Sequence, residues 1–362
     1  MQSVGQGADT GGISMKIKLI STALACVLAM SVLGGCAAEQ PQSSSDTEAA
    51  ATAATAATAA SEQTEVTSNA APAEDDAYDP SVYFLPQEEA VKKMGLDTVP
   101  VSAVGIGRAA TLTGIDAGIN MIGIPNDDHF PEEYLESITH ITNEEGEIEW
   151  ALIAELSPSV ILIDQKSSEQ YAAELEELNI PVYIPAYNFY DGVLGEIGLV
   201  SSAFGTNEAA AKTLGNYNER ILDMLSEVTE EKTVALLRIT ADGYVLYAGG
   251  NYADSLISTV NIKNIAGTMG ITDTSENSGM VPIELTDLIA ANPDAVAVMI
   301  TVARDQRDSA FDELMEEFSK EEYQTMNAVM NQKIVRIDHH PYAVPGMLPL
   351  NGIESVFSLV YE

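Results

Sequence analysis

The sequence predicts an α/β fold of two lobes with parallel sheets, joined by one long helix. Three observations support this prediction. Short apolar runs alternate with amphipathic segments from Asp97 onwards, which is typical of parallel α/β folds. A helix–proline–strand pattern occurs twice, and a single long amphipathic segment lies between the two copies. The length of 362 residues also allows about two domains at roughly 150 residues each.

The composition excludes several classes of protein. With 16 Lys and Arg residues against 55 Asp and Glu residues, the net charge is 16 − 55 = −39, which repels nucleic acid. Hydrophobic residues make up 46% of the chain, which is enough for a large core. Both cysteines, Cys26 and Cys36, lie in the first tenth of the chain. The remainder therefore has no thiol for a disulfide, a zinc finger or a nucleophile.

The N-terminal residues have the features of an export signal. Residues 1–14 precede a charged start at Met15 and are interpreted as a mis-start extension. Residues 15–35 are interpreted as a signal peptide, because two lysines precede an apolar run that is shorter than the roughly 20 residues of a membrane span. The run ends in Leu33-Gly-Gly-Cys36, which resembles the lipobox of bacterial lipoproteins. This resemblance implies a lipid anchor on Cys36, and a plain signal peptide with a chance cysteine is the alternative.

Residues 36–77 are expected to form a disordered tether. They are rich in Ala, Thr, Ser, Glu and Gln and have almost no large apolar side chain before Tyr78, so they cannot offset the entropy lost on ordering. A flexible coil of this length would span roughly 35 Å, which is enough to hold a domain away from a lipid surface. A helix is the competing interpretation of the Ala-rich part, although the repeated Thr residues weaken it.

The repeated pattern defines the two lobes. Its first copy runs from Glu149 to Ile163 and its second from Glu284 to Ile300, an offset of 284 − 149 = 135. In each copy a short helix stops at a proline, and a buried strand follows. The same offset pairs Thr98-Val99 with Thr233-Val234 at the predicted start of each lobe's first strand.

The long amphipathic segment is expected to bridge the lobes. Thr206 offers an N-cap, and apolar side chains follow at three- and four-residue spacing, namely Leu214, Tyr217, Ile221, Leu225 and Val228. A helix of about 22 residues would be roughly 33 Å long. The expected organisation is an N-terminal lobe at residues 78–205, a bridging helix at 206–230 and a C-terminal lobe at 231–362.

In parallel sheets, ligands bind beyond the carboxyl ends of the strands. Two facing Rossmann-like lobes would therefore enclose a ligand cleft between them. A lipobox, a tether and two such lobes resemble the substrate-binding lipoproteins of ABC importers for iron chelates, haem and cobalamin, the helix-bridged class of periplasmic-type binding proteins. The resemblance covers about residues 95–362 and is carried by segments 122–125, 130–131, 156–163, 178–182, 250–256 and 292–294.

The resemblance implies two docking acids that contact a permease, and here the sequence departs from the family. The family's glutamates lie seven residues before each repeated proline, where this chain has Ala151 and Thr286. Glu149 and Glu284 lie two residues earlier in both lobes and are the candidates for transporter docking. A shift of two residues corresponds to about 200° around a helix, which would point the acids to a different face from the family's glutamates. Favourable placement of an acid at a helix N-terminus is the competing explanation for both residues.

Candidate ligand-binding residues are polar side chains at or near predicted strand ends. Arg238 and Arg304 are candidate clamps for a carboxylate or phosphate, and ion pairs with nearby acids are the alternative. Histidine and tyrosine can ligate iron or hydrogen-bond a chelate. The alternative for the histidines is a position in a solvated loop, and the alternative for the tyrosines is packing in the cleft wall without contact to a ligand. The remaining candidates are His339, His340, Tyr342 and Tyr252 in the second lobe, and His129, Tyr187 and Tyr190 in the first.

An enzyme is the rival class. Gly105-Ile-Gly107-Arg-Ala-Ala110 fits a G-x-G-x-x-A dinucleotide pattern, and Asp127 and Asp128 follow about 20 residues later. A tight turn into the first helix of a lobe explains the same glycines. The sequence contains no G-x-S-x-G and no H-E-x-x-H motif, so no catalytic residue is assigned. No metal ligand is assigned either, because four histidines are few for a dispersed zinc or manganese site.

The sequence therefore predicts a lipid-anchored, extracytoplasmic binding protein at the cell membrane. It would deliver an iron chelate (a siderophore or haem) or a cobalamin-type ligand to the permease subunits of an ABC importer. It is expected to be a monomer without enzymatic activity or a covalently bound cofactor, touching the membrane through its lipid anchor only. An exported dinucleotide-dependent or hydrolytic enzyme on an α/β fold is the alternative, and an adhesive surface protein is the third hypothesis.

Overall fold

The computed structural model describes residues 78–127, 130–187, 189–273, 279–343 and 349–362. The predictions for the signal peptide, Cys36, the tether and His129 lie outside these residues. Among the described helices, none combines the length and apolar character needed to cross a bilayer.

The strands are β1 (Ala103–Ile106), β2 (Met121–Ile124), β3 (Thr139–His140), β4 (Val160–Ile163), β5 (Val182–Tyr183), β6 (Lys232–Thr240), β7 (Gly243–Tyr247), β8 (Ile262–Asn264), β9 (Met280–Pro282), β10 (Ala295–Ile300) and β11 (Ile334–Arg336). The helices are α1 (Gln87–Lys93), α2 (Arg108–Asp116), α3 (Glu132–Ser137), α4 (Trp150–Leu156), α5 (Gln165–Gln170), α6 (Ala172–Leu178), α7 (Tyr190–Phe204), α8 (Asn207–Glu227), α9 (Tyr252–Ser258), α10 (Ile265–Thr268), α11 (Asp287–Ala291), α12 (Arg307–Phe318), α13 (Asn327–Met330), α14 (His340–Ala343) and α15 (Pro349–Tyr361). Short 3₁₀ helices occupy Pro80–Tyr83, Arg304–Gln306 and Glu321–Tyr323.

The first sheet is parallel throughout, as the sequence predicts. Its strand order is β3-β2-β1-β4-β5, with Ala103 of β1 aligned with Val160 of β4. Every residue of β1 and β4 is buried. Apolar side chains pack on both faces, which explains why these strands are continuous apolar runs rather than alternating ones.

The second sheet is mixed, which corrects the expectation of two parallel sheets. Its order is β11-β10-β6-β7-β9, and β8 pairs with the first residues of β6. Strands β8, β10 and β11 are parallel to their neighbours, whereas β7 and β9 are antiparallel. The cause is a two-residue connection between Thr240 and Gly243. Such a short link can form only a hairpin, and Gly243 supplies its positive φ of 122°.

The 135-residue repeat is present at the helix ends. Helices α4 and α11 both end at a left-handed residue, Ser157 with φ 48° and Asn292 with φ 50°. A buried proline follows in each case, and β4 and β10 then begin at Val160 and Ala295, which are 135 residues apart. The two lobes therefore share this segment in conformation as well as in sequence pattern.

The repeat does not extend to the first strands at the same offset. Val234 of β6 aligns with Ala295, as Ala103 of β1 aligns with Val160. The matching offset is therefore 234 − 103 = 131, and the predicted pairing of Val99 with Val234 is wrong by four residues. Val99 is 47% exposed and is followed by Pro100, which has no N–H to donate to a ladder.

Helix α8 contacts both lobes. Its 21 residues lie within the predicted 206–230 segment. The Tyr217 hydroxyl donates to Asp116 Oδ2 on α2 at 2.7 Å, and Arg220 forms an ion pair with Glu354 on α15. One apolar cluster includes Leu214 of this helix together with core residues of both sheets. The predicted fold class, two α/β lobes joined by one long helix, is confirmed, apart from the antiparallel strands of the second sheet.

Candidate functional site

The candidate site lies at the carboxyl ends of β6, β10 and β11, in the second lobe. Arg238 points from β6 to the same face as the buried Leu236. Its Nε donates to Thr301 Oγ1 at 2.9 Å, just beyond β10, and its Nη1 donates to Met280 Sδ at 3.3 Å. These contacts hold a partly buried guanidinium at the edge where a parallel α/β sheet presents its ligand-binding groups.

Asp338, His339 and His340 follow β11 at the same edge. The ladder continues to Ile337, whose N–H donates to the Val298 carbonyl at 2.8 Å. Asp338 Oδ1 accepts a hydrogen bond from the His340 backbone N–H at 3.1 Å and lies 2.8 Å from His340 Nδ1. His339 Nδ1 is 3.6 Å from the same oxygen, and the two imidazole centroids are 3.9 Å apart. The three side chains therefore form one compact polar cluster.

The electrostatics of this cluster keep one imidazole neutral. Burial, together with the nearby charges of His340, Arg238 and Arg307, lowers the pKa of His339 to about 4 against the opposing effect of Asp338. Burial raises the pKa of Asp338, but the hydrogen bonds from His340 outweigh this effect, and the net pKa is lowered. At neutral pH the site thus combines an ionised carboxylate, a neutral imidazole and two guanidinium groups.

Arg307 is a further cation near His339, and its position in the sequence does not predict it as a site residue. It begins α12, seven residues after the end of β10, so no strand-end rule selects it. The predicted Arg304 lies in the intervening 3₁₀ turn and is exposed. Asp338 is not among the predicted site residues either, although its position directly before His339 and His340 could have indicated it.

Two predicted ligand residues, Tyr342 and Tyr187, have hydroxyl groups that are hydrogen-bonded within the protein. The Tyr342 ring is buried, and its hydroxyl donates to the Gly352 carbonyl of α15. Tyr187 packs against the large apolar cluster, and its hydroxyl lies 2.6 Å from Thr113 Oγ1 on α2. Burial raises the pKa of both phenols well above its usual range. Each hydroxyl therefore already has a hydrogen-bond partner within the protein, and ligand contact by Tyr187 and Tyr342 stays a prediction.

Tyr190 and Tyr252 occupy the contact between the lobes. They are the first residues of α7 and α9 and are both buried. The Tyr190 N–H donates to Ser255 Oγ at 3.0 Å, which joins the start of α7 to α9 in the second lobe. Burial raises the pKa of Tyr190, and the nearby Tyr78, Tyr83 and Tyr252 add to the effect. The two buried rings therefore lie near each other beside the bond that joins α7 to α9.

The glycine pattern at the end of β1 is a packing feature. Gly107 has φ 88°, and a Cβ at this position would collide with the Asp164 carboxylate. That carboxylate accepts from the Ser167 backbone N–H at 2.9 Å and lies over the turn into α2. A dinucleotide would place its pyrophosphate at this turn, where Asp164 would repel it. Asp127, the expected ribose partner, forms an ion pair with Arg108.

The two docking candidates are both exposed. Glu149 is the N-cap residue of α4, and its side chain makes no capping hydrogen bond. Glu284 lies three residues before α11, where its N–H donates to Asp287 Oδ2 at 3.1 Å. Ala151 and Thr286, at the positions the family uses, are exposed as well. The competing explanation, placement at a helix N-terminus, therefore fits Glu149 better than Glu284, which lies before the start of α11.

The fold and the polar strand ends define a two-lobed α/β binding protein. A family model described as periplasmic binding protein matches residues 101–341. This is two thirds of the chain and includes both sheets, and the chain belongs to the periplasmic binding protein family. A search among curated protein sequences gives no match.

Solved structures with the same fold include three that illustrate its range. An ABC transporter substrate-binding protein from Listeria monocytogenes is 18% identical with a TM-score of 0.57, over 72% of this chain and 98% of that one. The periplasmic haem-binding protein HutB of Vibrio cholerae is 17% identical with a TM-score of 0.56, over 72% and 99%. Staphylococcus aureus SirA in complex with staphyloferrin B is 17% identical with a TM-score of 0.54, over 73% and 92%.

Proposed function

We propose that this protein is a lipid-anchored, extracytoplasmic substrate-binding protein that delivers an iron chelate, such as a siderophore or haem, or a cobalamin-type ligand to an ABC importer. The family assignment supports a binding role. Neighbours of the same fold that bind haem or staphyloferrin B support a chelate as the ligand class. The lipobox sequence ending at Cys36 supports anchoring of the mature chain at the membrane.

The observation that carries the proposal is the cationic cluster at the carboxyl ends of the second sheet. The chain as a whole has a net charge of −39, but two arginines, Arg238 and Arg307, lie close enough to His339 for their charges to lower its pKa. Guanidinium groups pair with carboxylate or phosphate oxygens through charge-assisted hydrogen bonds, which are stronger than neutral ones. An anionic chelate would therefore be attracted to this edge rather than to the acidic surface elsewhere.

The ligand is proposed to bind between the lobes, with Arg238 as its principal ionic contact. The Arg238 side chain is already oriented by Thr301 and Met280, so little side-chain entropy is lost when an anion binds. His339 adds a neutral imidazole that can hydrogen-bond the chelate or ligate its metal. Arg304 and His340 extend the same edge.

Ligand titrations of the purified protein test this proposal. Haem, ferric siderophores and cobalamin are added in turn, and binding is followed by thermal stabilisation and by mass spectrometry of the intact complex. Arg238→Ala is expected to cost about 1.5 to 3 kcal/mol, or roughly 10- to 150-fold in affinity. Arg336→Ala is the matched control, because Arg336 is exposed and pairs with Asp308. Equal losses in both variants, or no binding of any chelate, would contradict the proposal.

Docking on the permease is proposed to involve Glu149 and Glu284. Exposed ion pairs contribute only about 0 to 1 kcal/mol each, but acids on both lobes acting together orient the complex and raise the encounter rate. The double variant Glu149→Ala/Glu284→Ala should slow ligand uptake by cells and leave ligand affinity unchanged. Normal uptake at raised salt and low receptor concentration would leave the two acids as helix-terminal residues only.

A further inference from the structure

The ligand atoms of Asp338, His339 and His340 are arranged closely enough to share one metal ion. Each side chain offers one carboxylate oxygen or imidazole nitrogen, and the three atoms lie within 4.8 Å of one another. Tetrahedral coordination at about 2.0 to 2.1 Å requires ligand atoms roughly 3.4 Å apart. The separation of 3.6 Å between Asp338 Oδ1 and His339 Nδ1 already meets this requirement, and the 2.8 Å contact with His340 Nδ1 needs only a small widening.

The donor set selects a class of cation. Two imidazoles and one carboxylate suit the divalent first-row transition metals, whereas calcium and magnesium prefer oxygen ligands alone. No metal site is expected from the sequence, because a site built from dispersed ligands would need more histidines than the four present. Here three consecutive residues supply the ligands, because the chain turns from β11 into α14 and brings the side chains to one side.

We propose that Asp338, His339 and His340 bind a bare divalent transition-metal cation, with Zn²⁺ as the probe. Three protein ligands leave a fourth coordination position open, which an anionic chelator can fill. Arg238, which lies near enough to His339 to act on it electrostatically, can hold the free carboxylate of such a chelator. The inference deepens the proposed function by naming how a metal is recognised in that site, and its relevance to import rests on the proposed function.

The test measures Zn²⁺ alone, without any chelate. The purified protein is dialysed against ZnCl₂ in excess Mg²⁺, which occupies surface carboxylates, and bound zinc is measured by elemental analysis and isothermal titration calorimetry. One equivalent of zinc is expected, with imidazole ligands visible in the X-ray absorption spectrum. His339→Ala and His340→Ala should each weaken binding about tenfold or more, and the double variant should abolish it.

His140→Ala is the matched control, because the His140 Nε2 atom lies 2.8 Å from the Leu135 carbonyl oxygen in the first lobe. It should bind zinc like the unchanged protein. Circular dichroism and the melting temperature without zinc establish that each variant is folded. No zinc on the unchanged protein, zinc retained by the folded double variant, or an equal loss in His140→Ala would overturn the inference. Chelate binding by the same samples is measured separately, so failure of the zinc site and failure of the proposed function are distinguishable.

Discussion

The two lobes differ most at a position that the repeat makes equivalent. The register of the first strands matches Gly107 of the first lobe with Arg238 of the second, since 238 − 107 = 131. At Gly107 the chain leaves the sheet and enters α2, whereas β6 continues past Arg238 to Thr240 and returns as a hairpin. The same framework position is a turn in one lobe and a partly buried arginine on a strand in the other.

The polar groups at the carboxyl ends of the strands also differ between the two lobes. In the first lobe the Arg108 and Asp127 charges neutralise each other, and Asp164 caps the following helix. In the second lobe the Arg238 side chain contacts Thr301 and Met280, and no acid among the residues that the structure describes forms an ion pair with it. The framework was therefore repeated, while the groups suited to a ligand are concentrated in one half.

The largest expected effect tests whether the repeated helices are equally important to stability. Ile153 in α4 and Leu288 in α11 are 135 residues apart, and both are fully buried. Ile153→Ala and Leu288→Ala should each lower the free energy of unfolding by about 2 to 5 kcal/mol, because each removes buried methyl groups and leaves a cavity. Urea titration provides the measurement, with the half-exposed Leu222→Ala as control. A loss confined to one lobe would break the equivalence.

An effect of intermediate size is expected for the bridging helix, which forms an ion pair with the second lobe and a more buried hydrogen bond with the first. The Arg220–Glu354 pair with the second lobe is exposed, so its removal should cost about 0 to 1 kcal/mol. The Tyr217–Asp116 hydrogen bond with the first lobe is partly buried. Burial raises the pKa of Asp116 to about 6, although the hydrogen bond from Tyr217 opposes this shift.

The raised pKa of Asp116 makes the contribution of the Tyr217–Asp116 contact to stability depend on pH. Between roughly pH 4 and 6 the folded protein binds more protons at Asp116 than the unfolded chain, so stability falls as the pH rises through this window. Asp116→Asn keeps an acceptor for Tyr217 and removes the ionisation. Its free energy of unfolding should exceed that of the unchanged protein by about 2 kcal/mol at pH 7, and the difference should vanish near pH 4. Urea titrations at both values measure it, and a difference independent of pH would argue against this role.

The smallest expected effect distinguishes the two left-handed helix ends. Ser157→Gly should raise the free energy of unfolding by less than about 1 kcal/mol, because glycine adopts this conformation without strain. Asn292→Gly should instead lower it, since Asn tolerates the conformation and its Oδ1 accepts from the Asn327 N–H at 2.8 Å. Differential melting curves of the two variants provide the comparison. The same sign of change in both would show that the Asn327 hydrogen bond contributes little.

The sequence allowed the prediction of most of the framework and of part of the site. The alternation of apolar runs, the proline-terminated helices and the spacing along α8 are local patterns, and they predicted the fold class and the segments near Val160 and Ala295 correctly. Arg238 and His339 were identifiable because they stand near strand ends. The orientation of the tyrosine rings could not be predicted, since a strand-end position does not reveal whether a ring turns towards a ligand or into the core.

By itself, the sequence determined the lobes' periodicity, the duplicated helix–proline–strand unit and the acidic background against which a few cations stand out. These depend on residue type and spacing within about 15 residues. The hairpin that makes the second sheet mixed also follows from a local feature, the two-residue link between Thr240 and Gly243. Only the tertiary structure decided the match of Gly107 with Arg238 and the proximity of Arg307 to His339. Those features depend on register and packing between segments distant in the chain, where burial of apolar surface outweighs local preference.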